Sequence, residues 1–352
     1  MYYCILIRLL NIEERKKVNS RNYNIDILKI ISCIAVVGLH TFCGTDNIIW
    51  NLMYLLCGYA IPLFLFCSGF LILPKNDFSY KDSIKKIYKV SKIILLWVAI
   101  SVFIKIIIIT SSCENVDYFF WIKVIFSPFI NEGLLWHFWY MITLMILYLF
   151  LPILFQFKKN NMIINLWIVF FVFSILLQFV SIFYKDSIQT RIPQYLRIWS
   201  WLQYFLLGYM IQTKVTNIKR KMNILNIDIF KFAFVAIIVL FINLFYQYYM
   251  LNCIFNNNLA EVFYDDLFEI VCITIISIFI LTIKISDILV NLINSIAPLT
   301  FGVYIIHPFV MKFTKIISIN IPVVWWIETV IVSFFIIYIM FKFPKLKYLV
   351  AF

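Results

Sequence analysis

Residues 21–40 read RNYNIDILKIISCIAVVGLH, and the reading of this stretch decides the fold. It is apolar over the roughly 20 residues that a helix needs to cross a bilayer. Inside hydrocarbon every backbone polar group must be satisfied within the chain, which leaves a helix or a closed barrel, and this run has no strand-like alternation. Its charged or imidazole side chains are only Arg21, Asp26, Lys29 and His40. Lys29 and His40 are 11 residues apart. That is about three helical turns, so they share one face and sit roughly 16 Å apart along the axis. Asp26 lies one turn before Lys29 on the same stripe, at a spacing that permits an ion pair. A headgroup-boundary role with Lys29 snorkelling accounts for Asp26 and Lys29 but leaves His40 unexplained.

The rest of the chain has the same character. Of 352 residues, 64% are hydrophobic and 13% charged. Soluble domains carry about 25% charge, and disordered chains combine high charge with low hydrophobicity, so both classes are excluded. Apolar runs at 26–44, 49–73, 88–110, 134–157, 161–183, 195–213, 228–251, 265–284, 296–316 and 322–342 predict an all-α, polytopic membrane bundle of about ten helices. The sixth is interrupted by Gln203 and the eighth is flanked by Asp265, Asp266 and Glu269, so these two are the weakest. A single membrane domain, 26–343, is expected between a basic N-terminal segment, 1–25, and a tail, 344–352. Tyr118, Phe119, Phe120 and Trp121 suit the headgroup layer and predict a short interfacial helix at Phe119–Ile125.

The net charge of +13 comes from 30 Lys and Arg against 17 Asp and Glu. In a soluble protein such an excess points to nucleic acid. Here it is patterned by segment. Arg8, Arg15, Lys16, Lys17 and Arg21 precede the first span, and Lys75, Lys81, Lys85, Lys86, Lys89 and Lys92 follow the second. Lys158 and Lys159, then Lys214, Lys219, Arg220 and Lys221, then Lys284, then Lys342, Lys345 and Lys347 mark alternate segments after that. The intervening segments are poor in Lys and Arg, so the positive-inside rule places both termini in the cytoplasm. The partner that this charge implies is a lipid bilayer, not nucleic acid. Met1–Leu10 is apolar but charge follows it, which does not read as a cleaved signal peptide. Cys33, Cys57, Cys67 and Cys272 lie in apolar runs as small hydrophobes. Cys113 and Cys253 fall in loops on the outer side and are available for a disulfide. No spacing resembles a zinc site, so no metal is expected.

The chain has three histidines, His40, His137 and His307. Each falls within or at the end of a predicted span. Intramembrane ionisable residues are costly and usually face a cavity, while the alternative is a packing hydrogen bond between helices. His40 and His137 are expected in the outer half of the membrane, in reach of one cavity, with His307 nearer the middle.

The first span resembles the opening signature of the acyltransferase-3 superfamily of bacterial membrane O-acyltransferases. That signature has an Arg, a following Asp, then a basic residue and, after ten intervening residues, a His. Lys29 stands where Arg is usual, as in the branch resembling the enterobacterial common antigen O-acetyltransferase and the intercellular adhesin membrane protein. Lys lacks the bidentate fork of Arg toward phosphate. Further patches follow in order: PLFLFCSGFLI (Pro62 to Ile72), HFWYMITLMILYLFLP (His137 to Pro152), YFLLGYM (Tyr204 to Met210) and FGVYIIHPFV (Phe301 to Val310). The resemblance implies a multi-pass enzyme of the bacterial cytoplasmic membrane. It would move an acyl group, most often acetyl, from cytoplasmic acyl-CoA to a hydroxyl of an envelope polysaccharide or its lipid-linked precursor. Acetyl-CoA would be a co-substrate, with no permanently bound cofactor. His40, His137 and His307 are then the catalytic candidates, since neutral imidazole serves as base or nucleophile. Arg21, Asp26 and Lys29 are donor-binding candidates. Ser68 and Tyr304 are candidate oxyanion donors, and Arg191 and Arg197, near the outer mouth of the sixth span, are candidate acceptor contacts. Two other classes fit the composition: an exporter of a glycan or lipid-linked intermediate, and a non-catalytic partner of a polysaccharide synthase. Neither the duplicated halves common in transporters nor paired broken helices are visible.

Overall fold

A computed structural model describes residues 21–44, 47–112, 117–130, 133–224, 228–255, 259–318 and 321–351. The basic residues before Arg21 lie outside the described residues, as does Cys113 and with it the disulfide to Cys253. Every regular element described is helical.

The first helix, α1 (Tyr23–Thr41), starts where the Asn22 side chain accepts a hydrogen bond from the Ile25 amide. Asp26 sits in its first turn, where the helix dipole favours a carboxylate. A continuous span of 25 residues, Ile48–Ile72, is divided at Tyr59 into α2 (Ile48–Gly58) and α3 (Ala60–Ile72). The next helix, α4 (Tyr80–Ser112), begins eight residues before the expected span of 88–110. Lys81, Lys85 and Lys86 are therefore helical rather than loop residues. Lysine is a good helix former, and its stem lies along apolar neighbours while the ammonium reaches water. The short helix expected near Phe119 forms as α5 (Tyr118–Ile125), with Tyr118 and Phe119 exposed. It is followed by α6 (Ser127–Ile130).

A 3-10 turn, Trp136–Phe138, leads into α7 (Trp139–Lys159). Then come α8 (Ile163–Tyr184), α9 (Ile198–Ile224), α10 (Ile229–Met250) and α11 (Leu267–Thr282). The chain closes with α12 (Asp287–Ile296), α13 (Thr300–Ile317), α14 (Pro322–Lys342) and α15 (Pro344–Val350).

Among the described residues eight stretches are long and apolar enough to cross a membrane: α1, α2–α3, α4, Trp136–Lys159, α8, Ile229–Phe255, Asp287–Ile317 and α14. Of the ten expected spans, the two weakest form helices that fall short of this measure. In α9 the C-terminal half carries Lys214, Lys219, Arg220 and Lys221, which keeps it polar. The other, α11, has 16 residues, about 24 Å of helix against a hydrocarbon core of about 30 Å.

Burial sorts the helices into two layers. The helices α1, α2–α3, α7 and the first half of α9 are mostly interior, whereas α4, α8, α10 and α14 turn large apolar side chains outward. Phe103, Phe183, Phe230 and Ile331 are examples. Such a continuous apolar exterior is costly in water and fits the lipid-facing surface of a multi-pass membrane protein. At the centre α3 crosses α9 backbone to backbone. A Cβ added to Gly69 would lie 1.7 Å from the Phe205 carbonyl oxygen, and one added to Gly208 would lie 2.0 Å from that of Phe66. The segment expected as a tail folds back as α15. Val350 is buried and the Trp97 Nε1 donates to the Leu349 carbonyl at 2.9 Å.

Candidate active site

The stripe on α1 opens with a clamp. Arg21 Nε donates to Asp26 Oδ2 at 2.5 Å, and Lys29 Nζ donates to Asp26 Oδ1 at 3.0 Å. Asp26 is buried, so its charge is held by two cations at once. Lys29 faces a cavity of about 520 Å³ between α1, α3, α7 and α13. The same cavity is lined by Ser68, Lys86, Tyr140, Tyr148, Tyr304 and Lys347. In the sequence Lys86 is one residue of a basic 75–92 loop that could meet an anionic ligand, and Lys347 marks charge only. Their convergence with Lys29 joins α4 and the refolded C-terminal helix to α1, and nothing local signals it. Ser68 donates to the Phe64 carbonyl at 3.0 Å and faces this cavity, not the one that holds His40.

At the other end of α1 the three histidines converge. The His40 and His307 rings stack with centroids 5.4 Å apart and planes 11° from parallel. The His137 and His307 centroids are 5.3 Å apart, edge to face. Trp136 packs its edge against His40 at 4.5 Å. His307, expected nearer mid-membrane, thus lies in the middle of the group, fully buried behind the other two.

Hydrogen bonds fix two of the three tautomers. Pro308 has no N–H, so the Tyr304 carbonyl loses its usual helical donor. His307 Nδ1 takes that place at 2.7 Å. A carbonyl only accepts, so in the neutral ring Nδ1 carries the proton and Nε2 is a buried lone pair without a partner among the described residues. His137 Nε2 likewise donates to the Ile305 carbonyl at 3.0 Å, leaving a buried Nδ1 lone pair. The Tyr304 hydroxyl donates to the His137 carbonyl and so pins the turn ahead of α7. Its one proton is engaged there. Pro308→Ala restores an amide that competes for the Tyr304 carbonyl and releases the His307 ring. The expected result is a fall in activity of about tenfold, through misplacement of the ring against His40, with unchanged protein yield.

His40 and His137 line a second cavity of about 260 Å³. Tyr304 lines this cavity as well as the larger one, so it stands between the two. The far wall comes from residues 259–264. That segment is tied down from three sides: Tyr54 Oη accepts from the Ala260 amide at 3.2 Å, Gln189 Nε2 donates to the Val262 carbonyl at 3.0 Å, and Tyr204 Oη donates to the Tyr264 carbonyl at 2.8 Å. The buried Asp265 accepts from Ser200 Oγ at 2.6 Å and Trp199 Nε1 at 3.1 Å. Asp265, which in the sequence belongs to the acidic flank of the eighth span, is therefore a satisfied anchor.

The two arginines of the outer mouth part company. Arg197 is almost fully buried, with Nη1 3.1 Å from Glu261 Oε2 and Nε donating to the Ile192 carbonyl at 3.0 Å. Arg191 pairs with Asp186 on the exposed surface. Arg197→Ala is expected to cost about 3 kcal/mol, because the half-buried Glu261 carboxylate loses its cation and a buried side chain is removed. Arg191→Ala is expected to cost less than about 1 kcal/mol. Thermal melts of the two variants in detergent check the contrast.

The site thus consists of two cavities, one lysine-rich and one histidine-rich, at opposite ends of the α1 stripe and sharing the Tyr304 ring. A family described as an acyltransferase domain matches residues 22–342, which contain all three histidines, Asp26 and Lys29. The chain belongs to this acyltransferase-3 family and is a membrane acyltransferase. No curated protein and no solved structure gives a match.

Proposed function

We propose that the protein is an O-acyltransferase, with acetyl-CoA as donor and a hydroxyl of a cell-envelope polysaccharide or its lipid-linked precursor as acceptor. The observation that carries this reading is the pair of cavities meeting at Tyr304, cationic on one side and lined by imidazoles on the other. By the positive-inside rule the lysine-rich cavity faces the bacterial cytoplasm, where acyl-CoA is found. Lys29, with Asp26 and Arg21 behind it, meets the anionic nucleotide end, and Lys86 and Lys347 add charge from two other helices. The thioester arm then follows the stripe toward His40.

In the histidine-rich cavity His40 removes the proton of the acceptor hydroxyl. The hydroxyl oxygen attacks the thioester carbonyl carbon, the new C–O bond forms and the C–S bond breaks. Coenzyme A leaves as thiolate and recovers the proton. His137 lines the same cavity with a lone pair of fixed direction, and His307 is a positioning residue that holds the His40 ring from behind. The water-poor interior strengthens each of these electrostatic contacts.

Membranes containing the protein, given acetyl-CoA labelled in the acetyl group, are expected to accumulate label in envelope glycan as an alkali-labile ester. Absence of any such ester above membranes lacking the protein would overturn the reading.

A further inference from the structure

We propose that Glu261 is the residue that binds the acceptor, and that the acceptor presents a neutral sugar at this point. The inference rests on the O-acyltransferase reading and names the acceptor side of that site. Glu261 lines the 260 Å³ cavity together with His40 and His137. Its two protein donors converge on one oxygen: Arg197 Nη1 at 3.1 Å and Gln194 Nε2 both donate to Oε2. Among the described residues Oε1 takes no hydrogen bond, and it belongs to a side chain that borders the cavity. A carboxylate fixed on one oxygen and open on the other is arranged to accept hydrogen bonds from a ligand.

The charge logic selects the ligand. Arg197 is buried, directs Nη1 to Glu261 and Nε to the Ile192 carbonyl, and does not line the cavity. A ligand in the cavity therefore meets the carboxylate, not the guanidinium. A uronate or phosphate would be repelled there, whereas a sugar hydroxyl donates to Oε1 at no such cost. Trp136 and Tyr264 supply aromatic faces on the same cavity, which suit the C–H surface of a pyranose. One hydroxyl held at Glu261 aims a neighbouring one at His40. This replaces the sequence-based reading of Arg197 as a direct phosphate or glycan contact.

The test uses membranes bearing the full-length protein, acetyl-labelled acetyl-CoA as probe and the endogenous glycan as acceptor. Glu261→Gln is expected to lower glycan labelling about 10- to 100-fold, the weight of a hydrogen bond to a charged group, while the KM for acetyl-CoA stays within about twofold. Because the single variant leaves Arg197 uncompensated, Glu261→Gln with Arg197→Gln is made beside it. The double variant is expected to restore protein level but not labelling. After mild hydrolysis the ester is expected on fragments that anion exchange does not retain. Normal labelling in Glu261→Gln, recovery of labelling in the double variant, or ester carried on acidic sugar residues would each overturn the proposal. If wild type labels no glycan, the O-acyltransferase reading falls and takes this inference with it. If His40→Ala abolishes labelling but Glu261→Gln does not, this inference alone falls.

Discussion

His40→Ala is expected to reduce acyl transfer by about 10³-fold or more per folded molecule, the upper range for loss of a general base. His40 stands at the end of α1, half-buried on the cavity wall, with Trp136 against its edge and His307 against its face. Alanine leaves space for water beside the thioester but removes the base that would activate it, so acetyl-CoA hydrolysis is not expected to rise in proportion. His40→Gln, which fills the volume without a basic nitrogen, is expected to be equally inactive. His307→Ala removes the ring behind His40 and is expected to cost less, about 10- to 100-fold, through misplacement of the base. Labelled transfer from acetyl-CoA, normalised to protein recovered as a monodisperse peak, measures all three. A His40→Ala variant that keeps more than a tenth of wild-type transfer would exclude His40 as the base.

Gly208→Ala is expected to prevent assembly of the bundle rather than to slow the chemistry. The new Cβ would meet the Phe66 carbonyl oxygen at 2.0 Å and the Phe70 amide nitrogen at 2.9 Å. Both are backbone atoms, so no side-chain rotation relieves the overlap and α3 must move away from α9. Gly69→Ala makes the reciprocal clash with Phe205. Overpacking of this kind costs about 3 kcal/mol or more, and close contact between small residues is a main source of helix association in membranes. Displacing α3 also moves Cys67 and Ser68, which line the lysine-rich cavity. Size-exclusion profiles and thermal melts in detergent are expected to show aggregated or early-melting protein for either variant. Wild-type melting of Gly208→Ala would mean that the crossing is looser than the glycine contacts imply.

Parts of this architecture are legible in the sequence because they depend on neighbours along the chain. The Asp26–Lys29 pair follows from a spacing of three within one helix, and the ion pair forms at that spacing. The weakness of the sixth and eighth spans shows in Gln203 and in Asp265, Asp266 and Glu269, and those helices are the ones outside the eight stretches long and apolar enough to cross. The Tyr-x-x-His-Pro order of 304–308 carries its own logic, since the proline frees the carbonyl that the histidine takes. The start of α4 was misplaced for a local reason too. Lysines close together look like a loop, yet their long stems allow a helix to run on past the apolar core.

Other features had no local signal. Glu261 reads as one of a few scattered outer acids, and it becomes a cavity residue through Arg197 and Gln194, each more than sixty residues away. Arg191 and Arg197 look equivalent in sequence, yet one is on the surface and the other is buried.

By itself, then, the sequence determined that the chain lies in a bilayer, which few side chains in it carry charge or imidazole, and which family signature they compose. These follow from hydropathy, helical period and residue order, which are properties of short stretches. Only the tertiary structure decided that His307 stands between His40 and His137, that Lys29 shares a cavity with Lys86 and Lys347, and that Tyr304 separates two cavities. Those outcomes depend on how helices far apart in the chain dock. In a uniformly apolar surrounding that docking is set by close contacts such as Gly69 with Phe205 and Gly208 with Phe66, and by buried hydrogen bonds, not by hydropathy.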